Sequence, residues 1–200
     1  MKTADGKLIK NILAAIAAYL FGASIGLCVS SGVGVDPLSV LISGLSSLTG
    51  IGFSMMNFFL NIVLVTIALL ISRKHIGIIT FVSIPTVSLG IQTITVLYSS
   101  IAMIPSYLIF AIGLIGSSAA IAWMIVLDCG KSPYDAFVLT IADTAHTTYH
   151  IVRWVTDLSS ILLGWLLKGS FGVGTVICLL VSGKLVEWFI KLYTPKGKAE

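Results

Sequence analysis

The chain has 200 residues, of which 57% are hydrophobic and only 10% charged, with a formal net charge of +4. A soluble domain carries about 25% charged residues, so this composition excludes a water-exposed globule and makes the bilayer the expected solvent. The small basic excess sits at the ends and in short polar stretches, which suits membrane orientation and excludes a nucleic-acid surface.

Residues 1–28 open with lysines and run into an apolar stretch. That stretch, from Ile12 to about Val29, is longer than the ~7–15 residues of a signal-peptide core, and no AxA-like site follows it. An uncleaved first span over about 9–31 is therefore expected. It carries Ala14, Ala18, Gly22 and Gly26 at four-residue spacing, a stripe that lets another helix approach closely. The expected neighbour is the span at 106–127, with its Gly113, Ser117, Ser118 and Ala122. Docking of a separate subunit or a second copy is the other use of such a stripe.

Next comes GVGVDPLSVLISG at 32–44, too polar and too short for a span. Asp36 suits a helix N-cap and Pro37 the first helical position. A helix from Pro37 to Leu48 is about 18 Å long and cannot cross a core of about 30 Å. Its leucines and Ile42 share one face, its serines the other.

Further spans are expected over 53–72, 77–98, 106–127, 149–167 and 171–190, with Pro85 expected to kink the third span. A second short helix is expected from Pro133 to about Ala145, entered through GKSP at 130–133. Lys2, Lys7 and Lys10, Arg73 and Lys74, Lys131, and Lys191, Lys196 and Lys198 lie where both termini face the cytoplasm; Lys168 is the exception.

The two Gly-x-x-Pro stretches lie 96 residues apart, Gly34 and Pro37 matching Gly130 and Pro133. At that offset Phe53 meets Tyr149, Asn57 meets Arg153 and Asn61 meets Asp157; at 95, Gly77 meets Gly172 and Thr80 meets Thr175. The expected architecture is an all-α membrane protein. It forms one domain of six transmembrane helices, built as two inverted three-helix repeats over about 9–100 and 105–193. Each repeat carries a short helix after its first span. That helix either lies at the interface or re-enters the membrane with its N-terminus toward the midplane, where free N–H groups favour anionic groups.

Charge inside a span faces a cavity or a partner. Asn57 and Asn61, four apart, and Arg153 and Asp157, four apart at equivalent repeat positions, are the candidate substrate- or ion-binding residues, with Asp36 beside them. The competing use is structural: asparagines bonding between helices, and an intrahelical Arg153–Asp157 pair. Asp128 and Asp135 flank the 130–133 turn and are expected to be solvated. Cys28, Cys129 and Cys178 lack metal-ligand spacing and are expected to be packing residues. No enzyme motif, cofactor fingerprint or metal cluster is present in the sequence, so the chain is expected not to be an enzyme.

GVGVDPLSVLISGLSSLTGI followed by a span, with the weaker copy DCGKSPYDAFVLTIAD, resembles the YczE/YitT-like family of bacterial integral membrane proteins. The resemblance extends over about residues 15–190, with Gly32, Gly34 and Pro37 on the family's opening turn. It implies a multi-span protein of the bacterial inner membrane, of a kind described as transporters, and supplies no substrate or catalytic residue. Two functions are carried forward: a small secondary transporter or permease with its site between the repeats, and a six-span substrate-capture subunit that docks on a separate ATP-driven module. A non-transporting membrane scaffold or regulator is a third possibility, for which the sequence has no positive feature.

Overall fold

The computed structural model describes residues 2–101, 104–128 and 131–194 and is helical throughout. Eight helices follow in order: α1 Lys2–Ser31, α2 Pro37–Thr49, α3 Phe53–Ile71, α4 Ile78–Ile101, α5 Ser106–Leu127, α6 Pro133–Thr144, α7 Tyr149–Leu166 and α8 Val173–Tyr193. Among the described residues, α1, α3, α4, α5 and α8 are long and apolar enough to cross a membrane. The sixth expected span is α7. Its 18 residues reach about 27 Å, but one of its faces is polar, and it is less apolar than the other five. α4 runs without interruption through Pro85. The expected turn residue Gly130, and Cys129, lie outside the described residues.

Both short helices begin as their sequences dictate, with the chemistry exchanged between them. In α2, Asp36 is the cap: its Oδ2 accepts from the Ser39 backbone N–H at 3.2 Å, and Ser39 Oγ donates to Oδ1 at 2.6 Å. In α6, Ser132 is the cap: its Oγ accepts from the Asp135 N–H at 3.1 Å and donates to Asp135 Oδ2 at 2.7 Å. The same Asp–Ser pair is thus written in opposite order. α2 ends at Gly50, in the left-handed conformation that closes a helix.

The helices form one bundle in which α4 packs on α3 and α6 as well as on α1. α1 lies between α4 and α5, and α8 packs on α5. The other four close a ring, with α2 on α3 and α7, and α6 on α3 and α7. Each short helix therefore docks on a long helix of the opposite half. Where α2 crosses α7, Gly44 and Gly164 let the backbones touch: a Cβ on Gly164 would come within 2.5 Å of the Val40 backbone. α6 packs on α3 in turn, with Leu64 of α3 against the cluster that contains Val138.

The small-residue stripe of α1 meets a different helix from the one expected. Gly22 packs on the backbone of Val87 and Gly26 on Ile91 and Ile94, all in α4, while Gly90 of α4 returns the contact against Tyr19 and Ala23. Ala14 and Ala18 are buried. The face toward α5 is built from Ser24 and Cys28 over Gly113 and Gly116. The spacing fixes that one face of α1 is smooth; which neighbour fills it depends on how the whole bundle closes.

Each turn that enters a short helix is pinned by a threonine from the far half. Thr175 Oγ1 accepts from the Val35 N–H at 3.2 Å, and Gly174 N donates to Val33 O at 3.0 Å. Thr80 Oγ1 donates to Lys131 O at 2.8 Å and accepts from Gly77 N at 3.1 Å. Both threonines are fully buried, where a polar group without a partner is costly.

Candidate functional site

α7 is built with two unlike faces. Tyr149, Arg153 and Asp157 recur at four-residue spacing and so stack along one side, joined by Thr156, Ser160 and Gly164. Ile151, Val155, Leu158 and Leu162 project from the other side and are exposed, as lipid-facing residues are. The first turn of α6 delivers Tyr134 and Asp135 onto the polar side.

Arg153 is the centre. Its Nη1 donates to Asp135 Oδ1 at 2.6 Å and to the Tyr149 hydroxyl at 3.0 Å, and its Nε donates to Asp157 Oδ2 at 3.2 Å. The guanidinium carbon sits 4.6 Å from the centroid of the Tyr134 ring, close enough for a cation–π contact. Tyr134 also uses its hydroxyl, 2.6 Å from Asp157 Oδ1 and 3.0 Å from Thr156 Oγ1. Asp135 receives a further hydrogen bond from the Tyr149 hydroxyl at 2.8 Å. The cation is held through Nε and Nη1 between two carboxylates and two phenols, and the Arg153 and Asp135 side chains remain 36% and 33% exposed. The cluster is a seam open on one side, not a sealed core pair.

Asp36 approaches from α2. It interacts electrostatically with both Asp157 and Arg153, and its hydrogen bonds go to Ser39. Pro37 and Pro133 are both buried at the first positions of their helices. Gly34 (φ 151) leaves no room for a side chain: a Cβ there would lie 2.5 Å from the Thr175 nitrogen. The start of α6 thus lies on the polar face of α7, and the turn into α2 is held against α8.

Asn57 and Asn61 are a separate unit. Asn57 Nδ2 donates to Ser88 Oγ of α4 at 3.0 Å, and Asn61 Nδ2 donates to Asn57 Oδ1 at 3.1 Å and to Asn57 O at 2.8 Å. Both are buried; Asn57 bonds to α4, and Asn61 bonds back to Asn57 within α3. The positions matched at the 96-residue offset therefore make different bonds, α3 bonding to α4 while α7 bonds to α6.

Tyr134, Asp135 and Tyr149 join the Arg153 cluster, and the sequence alone did not single them out as candidates. Asp135 in particular is half-buried and paired to Arg153, against the expectation of a solvated carboxylate. Two signals pointed to them. The Ser-Pro-x-Asp order puts Asp135 at the third helical position beside its cap, and Tyr149 continues the Arg153–Asp157 spacing by one turn.

Among the described residues no group of three His, Cys, Asp or Glu side chains is placed to hold a metal ion. A depression of about 380 Å³ between the ends of α5 and α8, lined by Trp123, Val126, Leu127 and Tyr193, includes none of the site residues. Outside the long helices, Asp143 at the end of α6 accepts from Lys74 Nζ at 2.7 Å and faces His75 Nε2 at 2.9 Å. Hydrogen bonds from Lys74 and then His75 hold its carboxyl below the usual range.

A model of the family described as "Family of unknown function (DUF6198)" matches residues 8–191. An uncharacterized protein of Haemophilus influenzae (strain ATCC 51907 / DSM 11121 / KW20 / Rd) is 28% identical over 195 residues, covering 95% of this chain and 86% of that protein. Uncharacterized protein YyaS of Bacillus subtilis (strain 168) is 23% identical over 181 residues, covering 88% of this chain and 90% of that protein. No solved structure matches the chain.

Proposed function

We propose, for a chain that belongs to the DUF6198 family of unknown function, that it is a small secondary transporter or permease with its site on the polar face of α7. The observation that carries this reading is Arg153, held between Asp135 and Asp157 where the start of α6 meets α7, the helix that α2 also crosses. An ionisable cluster at such a junction of short helices has the form of a midplane transporter site.

Two further features support the reading. α7 then serves as a sixth span whose polar face is hidden from lipid by α2 and α6. The exchanged docking of α2 on α7 and α6 on α3, with the matched threonine pins, supports two repeats of inverted topology. Both termini and the 72–77 turn face the cytoplasm of a bacterial cell in this reading, following the basic residues, and α2 and α6 are re-entrant. The resemblance to YczE/YitT-like proteins carries the same expectation of transport.

Reconstitution tests it. Proteoliposomes loaded with a pH-sensitive dye, and parallel charge-movement recordings, are challenged with a panel of small organic cations and anions. A response is expected from the native protein and its loss from R153A and D157A. Equal responses from correctly folded variants remove this site. Cysteines placed at Lys74 and Lys168 should react with an impermeant maleimide from opposite faces; reaction from one face removes the inverted topology.

A further inference from the structure

α8 is the least buried of the five long apolar helices. α5 packs along one side of it, where Gly174, Thr175 and Cys178 are buried. With 3.6 residues per turn, Val173, Val176, Leu180, Lys184 and Glu187 fall on the opposite side, and all five are exposed. The exposed rows of α3 and α7 are free of charge, as lipid-facing rows are; this row carries one charge of each sign. α3, α4 and α5 have no charged residue, and α1 has none after Lys10. Trp188 and Tyr193, both exposed, form an aromatic belt of the kind found at a membrane–water interface. Lys184 lies one turn inside that belt, about 14 Å from the end of the helix. Among the described ion pairs neither Lys184 nor Glu187 takes part, and ionised groups at membrane depth are costly without a partner.

We infer that this face of α8 is covered by α8 of a second copy, in a symmetric dimer where Lys184 of each chain pairs with Glu187 of the other. Two copies inserted in the same sense are related by a two-fold axis along the membrane normal. Their α8 helices then run parallel, with equal residues at equal depth. Lys184 and Glu187 differ in depth by about 4.5 Å, within reach of both side chains. A two-fold contact is self-complementary, so the ion pair forms twice and the charges of the face cancel. A partner of another sequence would have to supply the complementary pair; this chain already carries it. Val173, Val176, Leu180, Gly183 and Glu187 alternate three- and four-residue steps, the spacing of a two-helix seam. A Cβ on Gly183 would meet nothing within 4 Å, so the close approach that glycine permits between helices is unused inside the chain. The small-residue stripe of α1, the other surface suited to docking, is filled by α4. The dimer does not depend on the transport reading.

The test needs no substrate. The full chain, labelled on a C-terminal tag, is diluted into phosphatidylethanolamine–phosphatidylglycerol liposomes, and subunits are counted by single-molecule photobleaching. A monomer–dimer equilibrium is expected. K184E and E187K each remove both pairs and set like charges against one another, and each is expected to weaken the dimer about tenfold, the order of two interhelical polar contacts in a bilayer. K184E/E187K together restore opposite charges and are expected to recover the native equilibrium. In a cysteine-free background G183C should cross-link to its own copy under oxidation, whereas F59C, on the exposed side of α3, should not. A native protein that stays monomeric at every dilution overturns the dimer. Single variants that dimerise like the native protein place any contact away from this face and leave Lys184 extended toward the headgroups. Failure of the double variant to recover what the single ones lose rules out the reciprocal pairing, and G183C that cross-links no better than F59C removes α8 from the interface.

Discussion

Asp135 Oδ1 lies 2.6 Å from Arg153 Nη1 across 18 residues of chain, and this ion pair joins the first turn of α6 to α7. Neither residue could be placed there alone. Asp135 is brought inward by the Ser132 cap, and Arg153 is oriented by Tyr149 and Asp157 one turn to either side. We expect R153Q and D135N each to cost about 1–3 kcal/mol, below the loss for a fully buried pair because the seam is partly open. The double variant should cost less than the sum. Thermal unfolding in detergent over the four-member cycle measures this, and strict additivity would mean that the pair is not coupled.

Tyr134 has two separable roles. Y134F keeps the ring beneath the guanidinium and removes the hydroxyl donor to Asp157, with an expected loss of about 1.5–3 kcal/mol for a hydrogen bond to a charged group. Y134L removes the ring as well and should lose more. Equal stability for the two variants would show that the ring contributes nothing beyond its bulk.

At Gly34 a side chain meets both a disfavoured backbone angle and the Thr175 nitrogen. G34A is expected to be severely destabilising, above about 3 kcal/mol, through combined strain and overpacking. Expression level and unfolding midpoint read it out. A near-native G34A would mean that the turn is free to move away from α8.

Thr175 and Thr80 offer a paired test. T175V leaves the Val35 N–H without its acceptor, and T80V removes the donor to Lys131 O and the acceptor for Gly77 N. Each should cost about 1–3 kcal/mol despite the matched volume. Serine substitutions, which retain the hydroxyl, should recover most of that loss, and failure to recover would assign the cost to packing.

Asp143 makes stability respond to acid. Its folded carboxyl is held low by Lys74 and His75, so the unfolded chain binds a proton more readily than the folded one. The contribution is present above the ordinary aspartate value of about 4 and is lost as pH falls through the lower folded value. Acidification from about pH 5 to about pH 3 should therefore lower the unfolding midpoint more in the native protein than in D143N. Parallel curves would show that the pair is screened away.

Much of this architecture was legible in the chain. Apolar runs marked the long helices to within a few residues at most ends. Asp36–Pro37 and Ser132–Pro133 marked both short ones, because caps and prolines act locally. The partner of each face was not legible. Arg153 and Asp157 read as a pair through helical spacing, but Asp135 joins them only because α6 docks on α7, a contact decided by the fit of whole helices. Asn57 and Asn61 lie 96 residues before Arg153 and Asp157 and still bond elsewhere, since α3 has Ser88 of α4 beside it and α7 has the first turn of α6. The smooth stripe of α1 gave the surface and not its neighbour, because glycine and alanine accept any close helix.

The hydrogen bond from Val35 to Thr175 spans 140 residues of chain, and that separation bears on synthesis. At about 5–20 residues per second, the second partner leaves the ribosome roughly 7–28 s after the first. Until then the entry to α2 has no acceptor for that N–H, and the segment must wait in the insertion machinery or at the lipid headgroups. The turn into α2 is thus locked by α8, the last of the described helices, and a chain stalled before α8 should be an early target for quality-control proteases.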